Sequence, residues 1–136
     1  MTAKEFLQQA HHLEIRISTI KLEIERLRSL AESVPSNIVV SGSPGKVTDR
    51  TGVIIGKIVD MECELLNEVD RLVEIQRVIN KAINLIKDEI MRLVLIKRYL
   101  HGEDFEKIAE DMKYHVSFIY KLHRQALKNI QIFEIG

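Results

Sequence analysis

Residues 93–130, LVLIKRYLHGEDFEKIAEDMKYHVSFIYKLHRQALKNI, are the most informative segment of the chain because their pattern predicts three short helices separated by two turns. His101 and Gly102 end the first helix, since glycine readily adopts the positive φ that a helix stop commonly needs. Asp104 stands where the N-cap of the second helix belongs. Residues 113–116 form the second turn, and the last helix follows with apolar residues spaced by three and four. This order of elements predicts a helix-turn-helix.

The last helix and the turn before it are cationic, although the chain as a whole is neutral. Residues 113–129 include four lysines or arginines and no acid, whereas the whole chain has 20 basic and 20 acidic residues. Because a phosphate backbone responds to local charge, this segment predicts contact with double-stranded DNA. The candidates for base-edge contacts are Ser117, Tyr120, Lys121 and Arg124; those for phosphate contacts are Lys113, Tyr114 and Lys128, with His115 as a further DNA-binding candidate.

Other functions of the same segment stay open. A basic last helix also fits a domain that only packs against its neighbours. His123 is predicted either to pack at the flank of this helix or to touch a phosphate.

Upstream, two long segments show a heptad pattern, unbroken in the first and with one acid on the seam in the second, which predicts helices that pack along one seam. The first runs from Thr2 to Glu32 and the second from about Asp49 to Lys81, so we expect an antiparallel helical hairpin. Glu68 falls on the second seam, and we expect that seam to rotate slightly toward Leu66, Val69 and Val73 so that the acid stays solvated. The seam residues are Phe6, Ala10, Leu13, Ile17, Ile20, Ile24, Leu27 and Ala31 in the first segment, and Ile54, Ile58, Met61, Leu65, Leu72, Ile75 and Ile79 in the second.

The segments between these helices set the predicted domain boundaries. Residues 33–52 contain both prolines of the chain and three of its glycines, which predicts an irregular loop. Its β-branched patch, residues 38–40, is predicted to pack at the hairpin tip or against a partner. Residues 80–88 fit either a continuous helix or a break near Asn84; we expect a break or bend, with Asp88 and Glu89 opening the next helix. The fold class is therefore all-α, with a hairpin over residues 1–83 and a DNA-binding domain over 84–136.

A second apolar stripe, formed by Ile15, Leu22 and Leu30, lies off the first seam. The seam alone is explained by packing within one chain. The extra stripe leaves a homodimer through the hairpin equally open, because exposed apolar stripes usually meet a partner.

Composition argues against several other classes. No apolar run approaches the roughly 20 residues that span a bilayer, and the first residues lack a signal-peptide core, so we expect a cytoplasmic protein without membrane contact. Cys63 is the single cysteine, which fits a reducing compartment. Residues 43–47 resemble a phosphate loop. The motif requires glycine five residues before the Gly-Lys pair and Ser or Thr directly after it, but Val40 and Val47 stand there. We therefore expect no enzymatic activity, catalytic residue, metal or cofactor.

Residues 93–130 resemble region four of bacterial sigma factors, residue by residue. Leu95, Arg98 and Tyr99 match the L..RY signature of that family, and residues 105–109 match its s.eEIA helix. The recognition helix matches at Ile119, His123, Ala126 and Ile130. Lys107 and Lys113 stand where the family usually has glutamate and glycine.

The whole chain resembles small phage-encoded regulators of Gram-positive bacteria, of the ArpU and RinA type. The resemblance rests on FLQQAHHLEIRI (residues 6–17), on KIVDMECELLNEVDRL (residues 57–72) and on the sigma-like end. It implies sequence-specific binding at a phage promoter that activates late genes, with RNA polymerase as a possible second partner. A structural packaging adaptor of the small-terminase kind, or a sigma-like protein-interaction module, is the alternative.

Overall fold

A computed structural model describes residues 1–33 and 44–132, and its secondary structure in these ranges is helical without a strand. This confirms the all-α fold class. The helices are α1 (Ala3–Ser33), α2 (Pro44–Asn84), α3 (Glu89–Leu95, continued by a π-helical turn over Ile96–Leu100), α4 (Phe105–Met112) and α5 (Val116–Asn129). The β-branched patch at residues 38–40 lies outside the described residues.

The predicted loop over residues 33–52 is wrong in its second half, because α2 already begins at Pro44. Proline is well suited to the first helical position, where its missing N–H costs no hydrogen bond and its fixed φ is already helical. Two of the three glycines that suggest a loop, Gly45 and Gly52, are accommodated within the helix. Glycine lowers helix stability by only about 1 kcal/mol, which a helix of this length can tolerate.

The chain divides into two compact units that differ from the predicted division at residue 83. The hairpin unit is Ile15–Asp70, and the head unit combines Met1–Glu14 with Arg71–Gly136. The start of α1 and the end of α2 therefore belong with the short helices. The reason is packing, since Phe6, Ile79 and Leu95 share one buried cluster.

The hairpin unit contains two antiparallel helical segments joined along the predicted seam. Arg16 Nη2 lies 3.2 Å from Glu68 Oε1, and Arg28 pairs with Glu62, so positions that rise along α1 fall along α2. Four of the five seam residues of α1 in this unit are buried, namely Ile17, Ile20, Ile24 and Leu27, and the fifth, Ala31, is partly buried.

Glu68 corrects the expectation of a rotated seam. Its side chain is buried, whereas Leu66, toward which the seam was expected to turn, is 66 % exposed. The ion pair with Arg16 is the physical reason that the acid can stay on the seam, because a buried carboxylate needs a charged or hydrogen-bonding partner.

The head unit encloses two apolar clusters. The first joins the ends of α1 and α2 to the later helices, through Phe6, Ile83, Leu95 and Ala126 among others. The second lies among the short helices and consists of Val94, Ile108, Ala109, Ile119 and Leu122. Together the two clusters hold α5 along its buried face.

The predicted break after Asn84 is confirmed, since α2 ends there and Asp88 caps α3. The Asp88 carboxylate accepts hydrogen bonds from the backbone N–H groups of Ile90 and Met91, at 2.8 and 3.1 Å. Arg92 reinforces the bend by donating to the carbonyl of Lys87 at 3.0 Å. These contacts orient α3 independently of α2's helical hydrogen bonds.

Candidate nucleic-acid interface

The helix before α5, α4, begins and ends with well-formed caps. Asp104 is the N-cap of α4, as the sequence predicts, and its carboxylate accepts from the Lys107 N–H at 2.8 Å. At the other end Lys113 adopts φ 60° and ψ 40°, the left-handed conformation. Tyr114 N–H then donates to the Ala109 carbonyl at 3.0 Å, which closes the helix in the manner of a Schellman motif.

Lys113 therefore occupies a backbone position that favours glycine. The comparison with the sigma pattern had shown a lysine where glycine is usual. Within the described residues it is the one non-glycine residue with positive φ. The lysine side chain is exposed there, so the turn keeps its shape at the cost of some backbone strain.

The N-cap of α5 is His115. The His115 side chain accepts from the Ser117 N–H at 3.2 Å, and its Nδ1 lies 2.8 Å from the Ser117 hydroxyl oxygen. One predicted DNA-binding residue thus fixes the backbone from which another projects. Their mutual hydrogen bond also holds the Ser117 hydroxyl in a defined position.

The two faces of α5 separate as the spacing predicts. Ile119, Leu122 and Ala126 are buried, and His123 is buried with them. All eight predicted DNA-binding residues are exposed: Lys113, Tyr114, His115, Ser117, Tyr120, Lys121, Arg124 and Lys128.

The four cations of this surface are available to an external anion. Lys113, Lys121, Arg124 and Lys128 form no ion pair with an acid of residues 1–33 or 44–132. Because no acid lies between residues 113 and 129, the surface presents an uninterrupted positive charge along one helix.

We call Lys113, Lys121, Arg124 and Lys128 the cationic row. Two aromatic pairs flank this row. The Tyr120 ring lies 4.7 Å from the Phe105 ring, so Tyr120 is anchored against α4. On the opposite side, Tyr114 and Phe118 meet edge to face at 5.0 Å. Arg98 caps the first pair, with its guanidinium 4.4 Å from the Phe105 ring centre.

His123 lies within the head rather than on a phosphate-binding surface, which excludes the second of its two predicted roles. Its Nε2 shares a hydrogen bond of 2.6 Å with the Tyr99 hydroxyl, and Phe105 packs edge-on against its ring. Burial, followed by the positive charges of Arg98, Lys4 and Arg124, lowers the pKa of His123 to about 4. The imidazole is therefore neutral at pH 7. Burial also favours the neutral form of Tyr99, and it therefore raises the pKa of that hydroxyl group.

Arg98 and Phe118 have no predicted role in the site, but the structure places Arg98 against Phe105 and Phe118 against Tyr114. Arg98 joins the π-helical turn to the start of α4 by donating to the Glu103 carbonyl at 3.1 Å. Phe118 is 39 % exposed although it is wholly apolar. Its signal is the spacing of four residues from Tyr114 and three from Lys121, which puts it beside the cationic row.

Within the described ranges, no three His, Cys, Asp or Glu side chains are arranged to hold a metal ion. Nor does any helix there combine the length and apolar character needed to cross a membrane. Comparisons with protein-family models, curated proteins and solved structures found no match to the chain.

Proposed function

We propose that this chain is a sequence-specific DNA-binding transcription regulator, acting on late genes of a phage or prophage in the cytoplasm of a bacterial host. The observation that carries the proposal is the exposed cationic row of α5, backed by a buried apolar face that fixes its direction. The phage setting rests on the resemblance alone. The proposal includes no enzymatic activity and no cofactor.

The arrangement of α4 and α5 supports insertion of α5 into the major groove. In a helix-turn-helix the N-terminal residues of the second helix reach base edges, while the turn and first helix face the backbone. Ser117, Lys121 and Arg124 lie on the exposed side of α5, and Lys113 lies in the turn. Arginine can read guanine through two parallel hydrogen bonds, which suits Arg124 to a base-specific role.

The test begins with selection of bound sequences from a random DNA pool at near-physiological salt. We expect one enriched motif. Arg124→Ala should then cost about 1 to 3 kcal/mol of binding free energy and relax base preference at one position. Lys128→Ala should weaken binding to all sequences alike and lessen the salt slope by about one.

Lys57→Ala is the matched control, because it removes one exposed positive charge from the hairpin unit. It should leave both affinity and base preference unchanged. If neither Arg124→Ala nor Lys128→Ala alters binding to any DNA, α5 is not the DNA-contacting helix and the proposal fails.

A homodimer through the hairpin is part of the proposal, and exposed apolar side chains of the hairpin unit support it. On α2, Ile55, Val59 and Leu66 are each at least half exposed and are spaced by four and seven residues, which continues a heptad pattern. Ile15 and Leu22 of α1 are exposed as well. A second copy offers the same stripe, as a twofold interface requires.

Mass in solution tests this part. Leu66→Glu should shift a dimer to the monomer, whereas Asn67→Glu, which adds the same charge at the neighbouring exposed position, should not. A dimeric mass with paired half-sites in the selected DNA supports the regulator. A closed ring of subunits would instead favour the packaging adaptor, and binding of isolated RNA polymerase without DNA would favour the protein-interaction module.

A further inference from the structure

The Tyr114 and Phe118 pair is an apolar patch on a surface that is otherwise polar and cationic. The two rings are 38 % and 39 % exposed and meet at 60° with their centres 5.0 Å apart. Such an edge-to-face arrangement is favourable and fixes both rings relative to the backbone. The patch is thus a defined surface rather than one isolated exposed side chain.

The other exposed aromatic residue of α5 differs from Phe118 in its contacts and in its chemistry. Tyr120 is exposed to the same extent, but its ring is anchored 4.7 Å from Phe105 and it carries a polar hydroxyl group. Phe118 has no polar atom, so hydrogen bonding does not explain its exposure.

The position of Phe118 places it next to the predicted base-contacting row. It is the third residue of α5, in the end of the helix that reaches base edges in a helix-turn-helix. At about 100° per residue, it lies roughly 60° around the helix from Lys121 and 40° from buried Leu122. Phe118 therefore projects from the border between the buried face and the cationic row.

Duplex DNA offers one apolar group to such a side chain in the major groove, the 5-methyl group of thymine. Cytosine has only a C–H at the same ring position, so its apolar surface there is smaller by one methyl group. The absence of acids from residues 113–129 and the unpaired state of Lys113 and Lys121 toward the described acids favour an anionic partner at this patch.

We propose that Phe118, held in place by Tyr114, contacts the 5-methyl group of a thymine and selects thymine over cytosine at one position of the bound site. This inference rests on the proposed DNA-binding function. Phe118 supplies an apolar surface that excludes water from the methyl group, and Tyr114 positions the ring.

The experiment uses the full chain and the site obtained by selection, with each thymine replaced in turn by deoxyuridine. This exchange removes the methyl group and leaves every hydrogen-bonding atom in place. At one position we expect the wild-type protein to bind about fourfold more weakly, the effect of one methyl group removed from an apolar contact.

Phe118→Ala should abolish that difference, so that thymine and deoxyuridine bind equally, while Phe118→Leu retains part of it. Tyr114→Ala should reduce the ratio, because the ring of Phe118 loses its support. Leu93→Ala is the matched control for loss of an exposed apolar side chain of the head, because Leu93 is also 39 % exposed and lies on α3 outside the proposed interface; it should leave the ratio of thymine to deoxyuridine affinity unchanged. Circular dichroism of each variant shows whether the helices are retained.

The outcomes separate the inference from the function on which it rests. If a motif is enriched but every deoxyuridine site binds like its thymine parent, the methyl contact is refuted and the DNA-binding function stands. The same conclusion follows if folded Phe118→Ala keeps the wild-type ratio. If the full chain binds no DNA at all, both proposals fail together.

Discussion

The head unit and the hairpin unit both bury apolar side chains between helices, but the head unit encloses them more completely. In the described residues, the fully enclosed large apolar side chains all belong to the head unit: Phe6, Leu7, Ile79, Ile83, Val94, Leu95, Ile108 and Ile119. In the hairpin unit the buried apolar residues retain 5 to 8 % exposure. Several helices can surround a side chain, whereas two helices leave the seam open at its edges.

The difference extends to the polar groups that each unit buries. The head holds neutral His123 against Tyr99, and the hairpin holds Glu68 against Arg16, whose side chain is 55 % exposed. The head therefore positions its proposed DNA-binding surface on an enclosed core. The hairpin instead keeps apolar and charged groups near its surface, which suits association with another chain.

The largest expected effect concerns core truncation. Ile119→Ala removes a completely enclosed side chain of the head and should lower the free energy of unfolding by about 4 kcal/mol, because the surrounding helices cannot fill the cavity. Ile20→Ala on the hairpin seam should lower it by about 2 kcal/mol, since solvent and neighbouring side chains can occupy the space. Urea denaturation measures both losses.

Leu85→Ala is the control, because this side chain is 54 % exposed and its removal should cost less than about 1 kcal/mol. Equal losses for Ile119→Ala and Ile20→Ala would show that the two cores are equally closed, contrary to the comparison.

A fall in pH should lower the stability of the head unit because of His123. The folded pKa of about 4 lies below the ordinary value of 6.5, so the unfolded chain takes up a proton first as the pH falls. This contribution to stability is complete above pH 6.5 and is lost as the pH falls toward 4. Between pH 7 and 4.5 the loss should be roughly 1 to 3 kcal/mol.

His123→Gln removes the titrating group while it keeps a hydrogen-bonding side chain beside Tyr99. Its stability at pH 7 should be lower, but the free energy of unfolding should fall less steeply between pH 7 and 4.5 than in the wild type. Denaturant titrations at a series of pH values measure the difference. A variant that shows the wild-type slope would assign the acid sensitivity to other groups.

Replacing the buried acid of the hairpin by an apolar residue should raise the free energy of unfolding rather than lower it. Glu68→Leu restores an apolar residue to the heptad seam and should raise the free energy of unfolding by about 1 kcal/mol, because the desolvation cost of the carboxylate disappears. Glu68→Ala, which leaves the seam unfilled, should not stabilise. Thermal unfolding at constant protein concentration compares them, and a loss of stability in Glu68→Leu would mean that the polar contacts of Glu68 outweigh its desolvation.

The smallest effect concerns the turn before α5. Lys113→Gly should raise the free energy of unfolding by about 0.5 to 1 kcal/mol, because glycine adopts positive φ without steric cost. Lys113→Ala keeps the β-carbon in the same backbone conformation while it also removes the charge, so it should give no gain. If both variants stabilise the chain equally, relief of charge repulsion rather than backbone strain is the cause.

Local signals accounted for most of the helix boundaries. Asp88 and Asp104 lie at N-caps, Gly102 has a φ of 71°, and the apolar spacing identified the buried face of α5. The sequence predicts the start of α2 too late, because proline and glycine favour loops, although proline also fits a first helical turn. The same helical period predicts the exposure of the site residues that lie on α5, but it does not predict that His115 caps this helix.

Local sequence predicts most of the helices, the apolar face of each helix and the segment where positive charge collects, because these properties depend on neighbours within one or two turns. Tertiary contacts place the start of α1 and the end of α2 in the head, bury His123 against Tyr99, and keep Glu68 on the seam beside Arg16. Each of these depends on contacts between residues far apart in the chain, and periodicity carries no information about such partners.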